Sequence, residues 1–207
     1  MLGRLTRPAP RLAAALLALL TLIGLGATTA SAAVVYPGPV DPYASYQGED
    51  GCRAHPMKGT KRLAAWIDKK FDGGAARATM RPCSSSVSEH QDGRAIDWSM
   101  DATRAADRDE VDRFLAKLFA TDADGEEHAL ARRMGIMYVI WNDHMYRAYG
   151  TPHFAADDYL SSSCPSRKKC SKTLRHRDHV HISLGRPGAR AATSWYVARL
   201  APTAPTS

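Results

Sequence analysis

The sequence predicts an α+β domain with a small, mainly antiparallel sheet and flanking helices. Residues 107–120 place Val111, Phe114 and Leu118 on one helical face and charged residues on the other. Residues 136–141 form the most apolar run beyond the N-terminal region, and their length and β-branched content indicate a buried central strand. Helices followed by strands with hairpin-like links are typical of this fold class.

Two further helical segments are expected, together with a last short element. Residues 60–71 have apolar positions at helical spacing, with Thr60 as the N-terminal cap. Residues 126–134 are interpreted as one or two helical turns that Gly135 ends. Residues 195–200 are expected to form a short element that packs against the core.

Shorter strands are expected beside the central one. Residues 76–83 are predicted as a strand that leads into the first polar motif, and residues 95–98 as a strand that carries Asp97. Residues 179–184 alternate between polar and apolar, as a half-buried strand does. Residues 145–163 are polar, aromatic and without periodicity, so an irregular segment is predicted there.

The first 32 residues have the layout of a secretory signal peptide. Three arginines lie within the first 11 residues, residues 12–26 are almost wholly apolar, and Ala30-Ser31-Ala32 is a small-residue cleavage site. The apolar run is shorter than the roughly 20 residues that a membrane-spanning helix needs. We therefore expect export, cleavage and no stable membrane insertion; an N-terminal membrane anchor is the alternative.

The remaining chain is expected to form one domain, since about 175 residues suit a single hydrophobic core. Residues 33–51 are interpreted as an extended arm, residues 52–200 as the globular domain and residues 201–207 as a flexible tail. The net charge is +7, and three of the positive charges fall in the signal segment. This mildly positive net charge suits attraction to an anionic wall or surface and does not indicate nucleic acid as a partner.

Four cysteines predict two disulfides, because an even count in an exported chain is typical of disulfide bonding. Three pairings are possible. Cys164 and Cys170 enclose a short polar loop, so local pairing is the economical choice, and it leaves Cys52 with Cys83. A zinc finger would instead need short Cys-x-x-Cys knuckles, which the sequence lacks.

Two stretches carry the chemistry. Residues 88–97 offer an imidazole and a carboxylate seven residues apart, and residues 176–181 offer three imidazoles and a carboxylate. On a strand, His179 and His181 point to the same face. Two histidines and one aspartate that meet in space form an open zinc site, which is the catalytic arrangement, and mixed nitrogen and oxygen ligands favour zinc over calcium or copper.

The same stretches resemble a known enzyme family. Ser88 to Asp97 fits S-x-H-x-x-G-x-A-x-D, and His179-Val180-His181 fits a downstream H-x-H. Together they resemble the LAS-type zinc metallopeptidases (peptidase M15-like), which comprise D-alanyl-D-alanine carboxypeptidases and L-alanyl-D-glutamate endopeptidases. The resemblance covers roughly Cys52 to Leu184. It implies a secreted bacterial member with a Hedgehog/D-Ala-D-Ala-peptidase-like zinc fold and one zinc ion per chain.

The resemblance also implies roles for single residues. His90, Asp97 and His181 would be the zinc ligands, and His179 would lie beside the metal and stabilise the oxyanion or the substrate. Asp178 stands three residues before the last ligand, where the family has its catalytic carboxylate. It would take a proton from the attacking water and pass it to the leaving amine.

Two further residues belong to this hypothesis. Asp178 reaches the site only if the strand begins at about His179, and His176 is the alternative base. Arg81 stands nine residues before His90, close to where the family often places a substrate-holding arginine. Its guanidinium would bind a peptide carboxylate or polarise a carbonyl.

The expected function is that of a secreted, cell-wall-associated zinc peptidase that hydrolyses peptidoglycan peptides as a carboxypeptidase or an endopeptidase. A catalytically inactive zinc-containing module that binds or regulates the wall is the alternative. A metal-dependent nuclease is a third possibility, and it needs basic residues near the metal. Only Arg94, Arg175 and Arg177 qualify. The sequence predicts no oligomeric state.

Overall fold

The structure of the protein is a computed structural model that describes residues 34–36, 38–83 and 88–200. The predicted signal segment and the predicted tail, residues 201–207, lie outside the described residues. All described residues belong to one compact unit. Within the described part of the chain, no helix is both long and apolar enough to cross a membrane.

A six-stranded antiparallel sheet forms the centre of the fold. In chain order its strands are β1 (Ala76–Arg77), β2 (Ala95–Trp98), β3 (Ile136–Trp141), β4 (His144–Arg147), β5 (Ala156–Asp158) and β6 (Val180–Leu184). Their spatial order is β1-β2-β6-β3-β4-β5. The last strand in sequence therefore lies between β2 and β3, which brings the second polar stretch beside the first. The predicted α+β class with a mainly antiparallel sheet is confirmed.

The two central strands are the most buried. Every residue of β3 and of β6 is buried, as expected for strands covered on both faces. The predicted central strand at residues 136–141 is confirmed at both ends. β3 continues into β4 through Asn142 and Asp143, which have φ angles of 47° and 68°. Two successive left-handed residues are typical of a type I′ hairpin turn.

Five α-helices flank the sheet in the described residues: α1 (Lys58–Lys70), α2 (Ala105–Phe119), α3 (Ala129–Met134), α4 (Arg186–Ala189) and α5 (Ser194–Leu200). The amphipathic face predicted for α2 is confirmed, because Val111, Phe114 and Leu118 are fully buried. Gly135 ends α3 in the left-handed conformation, with a φ of 67°, as predicted.

Three details of the prediction are wrong. Thr60 does not cap α1: it lies inside the helix, and its buried hydroxyl donates a hydrogen bond of 2.8 Å to the Gly93 carbonyl. β1 does not extend to Cys83, because beyond Arg77 the backbone turns toward the polar site, where the Thr79 carbonyl receives a side-chain hydrogen bond. The segment predicted to be irregular, residues 145–163, contains most of β4 and all of β5, an exposed polar strand without hydrophobic alternation.

Residues 34–51 contain no helix or strand at the described positions and lie against the rest of the domain. The carbonyls of Gln47 and Gly48 accept hydrogen bonds from the buried Arg94 guanidinium at 2.8 and 3.2 Å. Tyr43 stacks on His153 with ring centroids 3.7 Å apart. The segment is thus attached by specific contacts along its length.

The two disulfides pair Cys52 with Cys83 and Cys164 with Cys170, as predicted. The first bond joins the start of the globular domain to the segment that leads into the first polar motif. The second closes a loop shortly before the second polar motif. Two disulfides with no free cysteine fit a protein of an oxidising compartment.

Candidate metal centre

Three side chains converge at one point between β2 and β6. His90 lies in the turn before β2, Asp97 lies on β2, and His181 lies on β6 as the direct cross-strand partner of Asp97. Nε2 of His90 is 3.1 Å from Nδ1 of His181 and 3.2 Å from Oδ1 of Asp97, and the last two atoms are 3.4 Å apart. The three residues form a group that can hold a metal ion.

The size of this triangle matches one face of a zinc tetrahedron. Ligand bonds of about 2.0–2.2 Å place tetrahedral ligand atoms about 3.3–3.6 Å apart. Of the three separations, 3.4 Å lies within that range, and 3.1 and 3.2 Å are 0.1 to 0.2 Å shorter than its lower limit. Two imidazoles and one carboxylate are also a ligand set that suits zinc, and three protein ligands are the number found in catalytic zinc sites.

Hydrogen bonds on the far side of each imidazole orient the rings. Nδ1 of His90 is 2.8 Å from the Thr79 carbonyl oxygen, which can only accept, so Nδ1 carries the proton and Nε2 presents its lone pair to the centre. Nε2 of His181 is 2.8 Å from Oγ of Ser183. Imidazoles that bind metals are commonly fixed in this way by a second hydrogen bond.

The electrostatics of the centre favour a bound cation. Burial opposes ionisation of Asp97, but the imidazoles of His181 and His90 outweigh it and hold the pKa of the carboxyl well below its ordinary range. Burial lowers the pKa of His181, so its neutral form is favoured. Oδ1 of Asp97 is buried and lacks a well-formed hydrogen bond. A buried carboxylate oxygen without a hydrogen-bond donor is stabilised by a nearby cation.

His179 lies beside the three ligands. Its Nε2 is 3.7 Å from Oδ1 of Asp97, beyond hydrogen-bonding distance, and is buried without a hydrogen-bond partner. Its Nδ1 is 2.7 Å from Oδ1 of Asp178. His179 therefore lies close to the group of His90, Asp97 and His181 but outside it, and its role beside a metal ion stays a prediction.

Asp178 lies in the turn that precedes β6, since that strand begins at Val180. The sequence analysis required β6 to begin at about His179 if Asp178 was to reach the metal centre, and the observed start at Val180 meets this requirement. Both of its carboxylate oxygens already have partners: Oδ1 faces His179, and Oδ2 accepts a hydrogen bond of 2.5 Å from the Thr173 hydroxyl. These contacts orient the His179 ring. The role of Asp178 as the catalytic base stays a prediction.

His176, the alternative base, also lies near the centre. Its ring centroid is 4.8 Å from that of His179 and 5.6 Å from that of His181. Burial, together with the neighbouring imidazoles, lowers the pKa of His176 to about 3. The ring is therefore neutral at neutral pH, and such a low pKa makes it a weak base.

Fewer contacts fix the position of Arg81, the arginine predicted to bind substrate. Arg81 is exposed and forms no ion pair with any described residue. Its positive charge is the smallest of the influences that lower the pKa of His176. Its role in binding substrate stays a prediction.

Two arginines that sequence analysis placed near the metal are held by internal contacts instead. Arg94 is 1% exposed, and its Nε donates to Asp92 at 2.7 Å. Arg175 binds both carboxylate oxygens of Asp143, at 2.8 and 2.7 Å. Neither of these two guanidinium groups is free to hold a phosphodiester, whereas Arg177, the third candidate, has a buried Nε without a hydrogen-bond partner among the residues that the structure describes.

A comparison with known protein families covers the part of the chain that carries His90 and Asp97. The family model described as VldE, C-terminal domain, matches residues 48–158, which is more than half of the 207-residue chain. The chain belongs to the VldE C-terminal domain family. The matched range includes His90 and Asp97 and ends before His179 and His181. Neither the curated proteins nor the solved structures include a significant match to the chain.

Membership of the VldE C-terminal domain family does not by itself assign an activity to these residues. Of the two motifs in the LAS-type resemblance, only the first lies within the range that the family model matches. The second motif enters the centre through the sheet order, which places β6 beside β2.

Proposed function

We propose that the protein is an exported zinc peptidase that hydrolyses peptide bonds of bacterial cell-wall peptidoglycan. The observation that carries the proposal is the triangle of His90 Nε2, Asp97 Oδ1 and His181 Nδ1, with sides of 3.1 to 3.4 Å. Both motifs of the LAS-type resemblance meet in this triangle. The two disulfides and the predicted signal segment support export to an oxidising compartment.

His90, Asp97 and His181 would hold the zinc ion. When bound, zinc supplies a Lewis acid that polarises a peptide carbonyl and lowers the pKa of water. The Asp97 side chain is 22% exposed, whereas His90 is wholly buried, so substrate would approach from the Asp97 side. His179 lies on that side, at 3.7 Å from Asp97.

Asp178 and His179 are proposed to handle protons as a pair. The Asp178 carboxylate can only accept from Nδ1 of His179, so the neutral ring carries its proton on Nδ1 and presents a bare Nε2 toward Asp97. This Nε2 is placed to accept a proton from an attacking water or, once protonated, to donate to the oxyanion. Arg81 would hold a carboxylate of the peptide substrate.

A second candidate function is a zinc-containing module that binds the wall without cutting it. It is favoured by one observation: both oxygens of Asp178 are engaged, by His179 and Thr173, rather than free to act as a base. In this case the metal centre would stabilise the fold or help the protein to recognise the wall.

One experiment separates the two functions. Purified mature protein is incubated with peptidoglycan and zinc, and newly exposed free amines are measured beside Asp178→Ala and His179→Ala variants. Release of amines by the wild type, strongly reduced in both variants, is expected of a peptidase. If the wild type releases none and still binds zinc and sedimented wall, the enzyme proposal is overturned and the binding module is supported.

A further inference from the structure

A hydrogen bond from Thr173 holds Asp178 on the side of its carboxylate away from His179. The Thr173 hydroxyl lies 2.5 Å from Oδ2 of Asp178, and Oδ1 of the same carboxylate lies 2.7 Å from Nδ1 of His179. A carboxylate only accepts, so both partners donate to it. The three side chains form a row that ends at Nε2 of His179, 3.7 Å from Oδ1 of Asp97. Thr173 has no role in the proposed peptidase reaction.

The second hydrogen bond fixes a side chain that packing leaves free to rotate. The Asp178 side chain is 39% exposed, so its surroundings alone do not hold the carboxylate in one rotamer. Partial burial opposes ionisation of Asp178, but the hydrogen bonds from Thr173 and His179 outweigh it and lower the pKa of the carboxyl. An ionised carboxylate held at both oxygens cannot turn without breaking a charge-assisted hydrogen bond.

A tight backbone turn brings Thr173 to Asp178. Thr173 begins a single turn of 3-10 helix, and its carbonyl accepts a hydrogen bond of 3.0 Å from the His176 amide. His176 has a φ of 49°, in the left-handed region, and the chain reverses there. The Arg177 amide then donates to the Lys172 carbonyl at 3.0 Å. Two side chains five residues apart in sequence therefore meet.

Two further backbone hydrogen bonds attach this turn to the rest of the domain. The His176 carbonyl accepts from the Asn142 amide at 2.7 Å, in the turn between β3 and β4. The Arg177 carbonyl accepts from the Ala102 amide at 2.8 Å, beyond the end of β2. The Thr173 hydroxyl is thus presented from a fixed support, which a residue that positions a catalytic group requires.

We propose that Thr173 is a positioning residue, whose hydroxyl holds Asp178 against His179 and so keeps Nε2 of His179 directed at the metal centre. This inference rests on the proposed function, in which Asp178 and His179 handle protons as a pair. It also gives the two engaged oxygens of Asp178 a purpose in a peptidase, because a carboxylate that acts through an imidazole does not need a free oxygen.

The first test measures hydrolysis of a soluble peptidoglycan fragment by the full mature chain. Thr173→Val removes the hydroxyl and keeps the shape of the side chain. It is expected to lower kcat roughly 10-fold, the lower end of what the loss of such a supporting partner costs. KM and zinc content should stay unchanged, because the hydroxyl acts on His179 only through Asp178. Thr173→Ser keeps the donor and should restore most of kcat.

Thr193→Val is the matched control. It makes the same change at a threonine that is 6% exposed and whose hydroxyl has no hydrogen-bond partner among the described residues. Its kcat should equal that of the wild type. A loss confined to Thr173→Val then belongs to the hydrogen bond with Asp178 rather than to the exchange of a hydroxyl for a methyl group.

A double-variant cycle asks whether Thr173 acts only through Asp178. In a chain that already carries Asp178→Ala, the hydroxyl has no carboxylate to hold. Thr173→Val should therefore cause no further loss of kcat in that background, although it lowers kcat roughly 10-fold in the wild type. An effect on the fold in general would be the same in both backgrounds.

A measurement without substrate reads the position of the His179 ring. The ring centroids of His176 and His179 are 4.8 Å apart, so NMR of the metal-free wild type should show a nuclear Overhauser effect between the two rings. Thr173→Val should weaken this effect, because the His179 ring is then held less firmly. Thr173→Ser should retain it.

The outcomes separate the two claims. A wild type that cleaves no peptidoglycan fragment would overturn the proposed function, and an unchanged ring contact in Thr173→Val would still overturn the positioning role. With an active wild type, an equal kcat in Thr173→Val would overturn the positioning role alone. A higher kcat would overturn it as well, since the hydroxyl would then hold Asp178 back. If Thr173→Val does not fold, Thr173→Ala removes the same exposed hydroxyl and carries the test.

Discussion

Asp97 and His181 face each other across the pairing of β2 with β6, and their ligand atoms lie 3.4 Å apart. They are separated by most of the domain in sequence. Their meeting depends on the insertion of the last strand between β2 and β3. The candidate centre therefore depends on the order of the strands in the sheet, because Asp97 and His181 meet only where β6 pairs with β2.

The first prediction concerns the ligands. His90→Ala and His181→Ala should each lower bound zinc, measured by elemental analysis after dialysis, from about one ion per chain to a small fraction, because two ligands do not complete a zinc site. His144→Ala serves as the control, since that imidazole contacts the Asn142 carbonyl outside the centre. Full occupancy in both ligand variants would refute the site.

The second prediction separates catalysis from metal binding. His179→Ala should retain zinc, because its Nε2 is 3.7 Å from Asp97 and outside the ligand triangle, yet lose peptide hydrolysis by roughly 100-fold or more. Asp178→Asn should retain zinc and lose less activity, since an asparagine can still orient the ring. Peptide cleavage and zinc content are measured on the same samples. Loss of zinc from His179→Ala would instead make His179 a ligand.

Local patterns in the sequence predicted a metal site made of histidines and Asp97, and the family resemblance implied which histidines would be the ligands. The spacing of His90 and Asp97 and the alternation along residues 179–184 are both visible without a structure. The central strand and the long amphipathic helix were predictable for the same reason: burial on one face leaves a period in the sequence.

The cross-strand neighbours of residues on β6 could not be predicted in this way. Ser183 meets Tyr138 only because β6 pairs with β3, and no local pattern encodes that pairing. Tyr138 had an equally good explanation as a core residue. The exposed strand β5 escaped prediction for a different reason, since its Ala-Asp-Asp sequence has no hydrophobic period to detect.

The third prediction concerns the buried Arg94. Its guanidinium donates to Asp92, to the Leu184 carbonyl and to the arm at Gln47 and Gly48. Arg94→Ala should cost about 3–5 kcal/mol of unfolding free energy, because it leaves the buried Asp92 without its partner. Arg94→Lys should recover only part of this, since an ammonium cannot reproduce the fork of donors.

Denaturant unfolding measures both variants. The control is Arg77→Ala, whose side chain is 72% exposed and 3.8 Å from Asp68. That change should alter stability by no more than about 0.5 kcal/mol. Equal losses for the two alanine variants would mean that the internal contacts of Arg94 do not stabilise the fold.

The fourth prediction links pH to the segment that leads into the second motif. Asp143, in the turn between β3 and β4, binds Arg175 through both carboxylate oxygens. The hydrogen bond and charge of Arg175 outweigh partial burial and lower the pKa of Asp143. A lowered folded-state pKa contributes stability above the ordinary aspartate pKa, and that contribution is lost as pH falls through the folded-state value.

Asp143→Asn should therefore lower the unfolding midpoint by a few degrees at pH 7, and the difference from the wild type should shrink as the pH is lowered below about 4. Because the same turn is hydrogen-bonded to the backbone of Arg175 and His176, the variant should also loosen the segment before His179. Thermal unfolding across pH checks the first effect, and amide exchange in residues 175–178 checks the second. A midpoint difference that stays constant down to pH 2 would show that the loss does not come from the carboxylate charge.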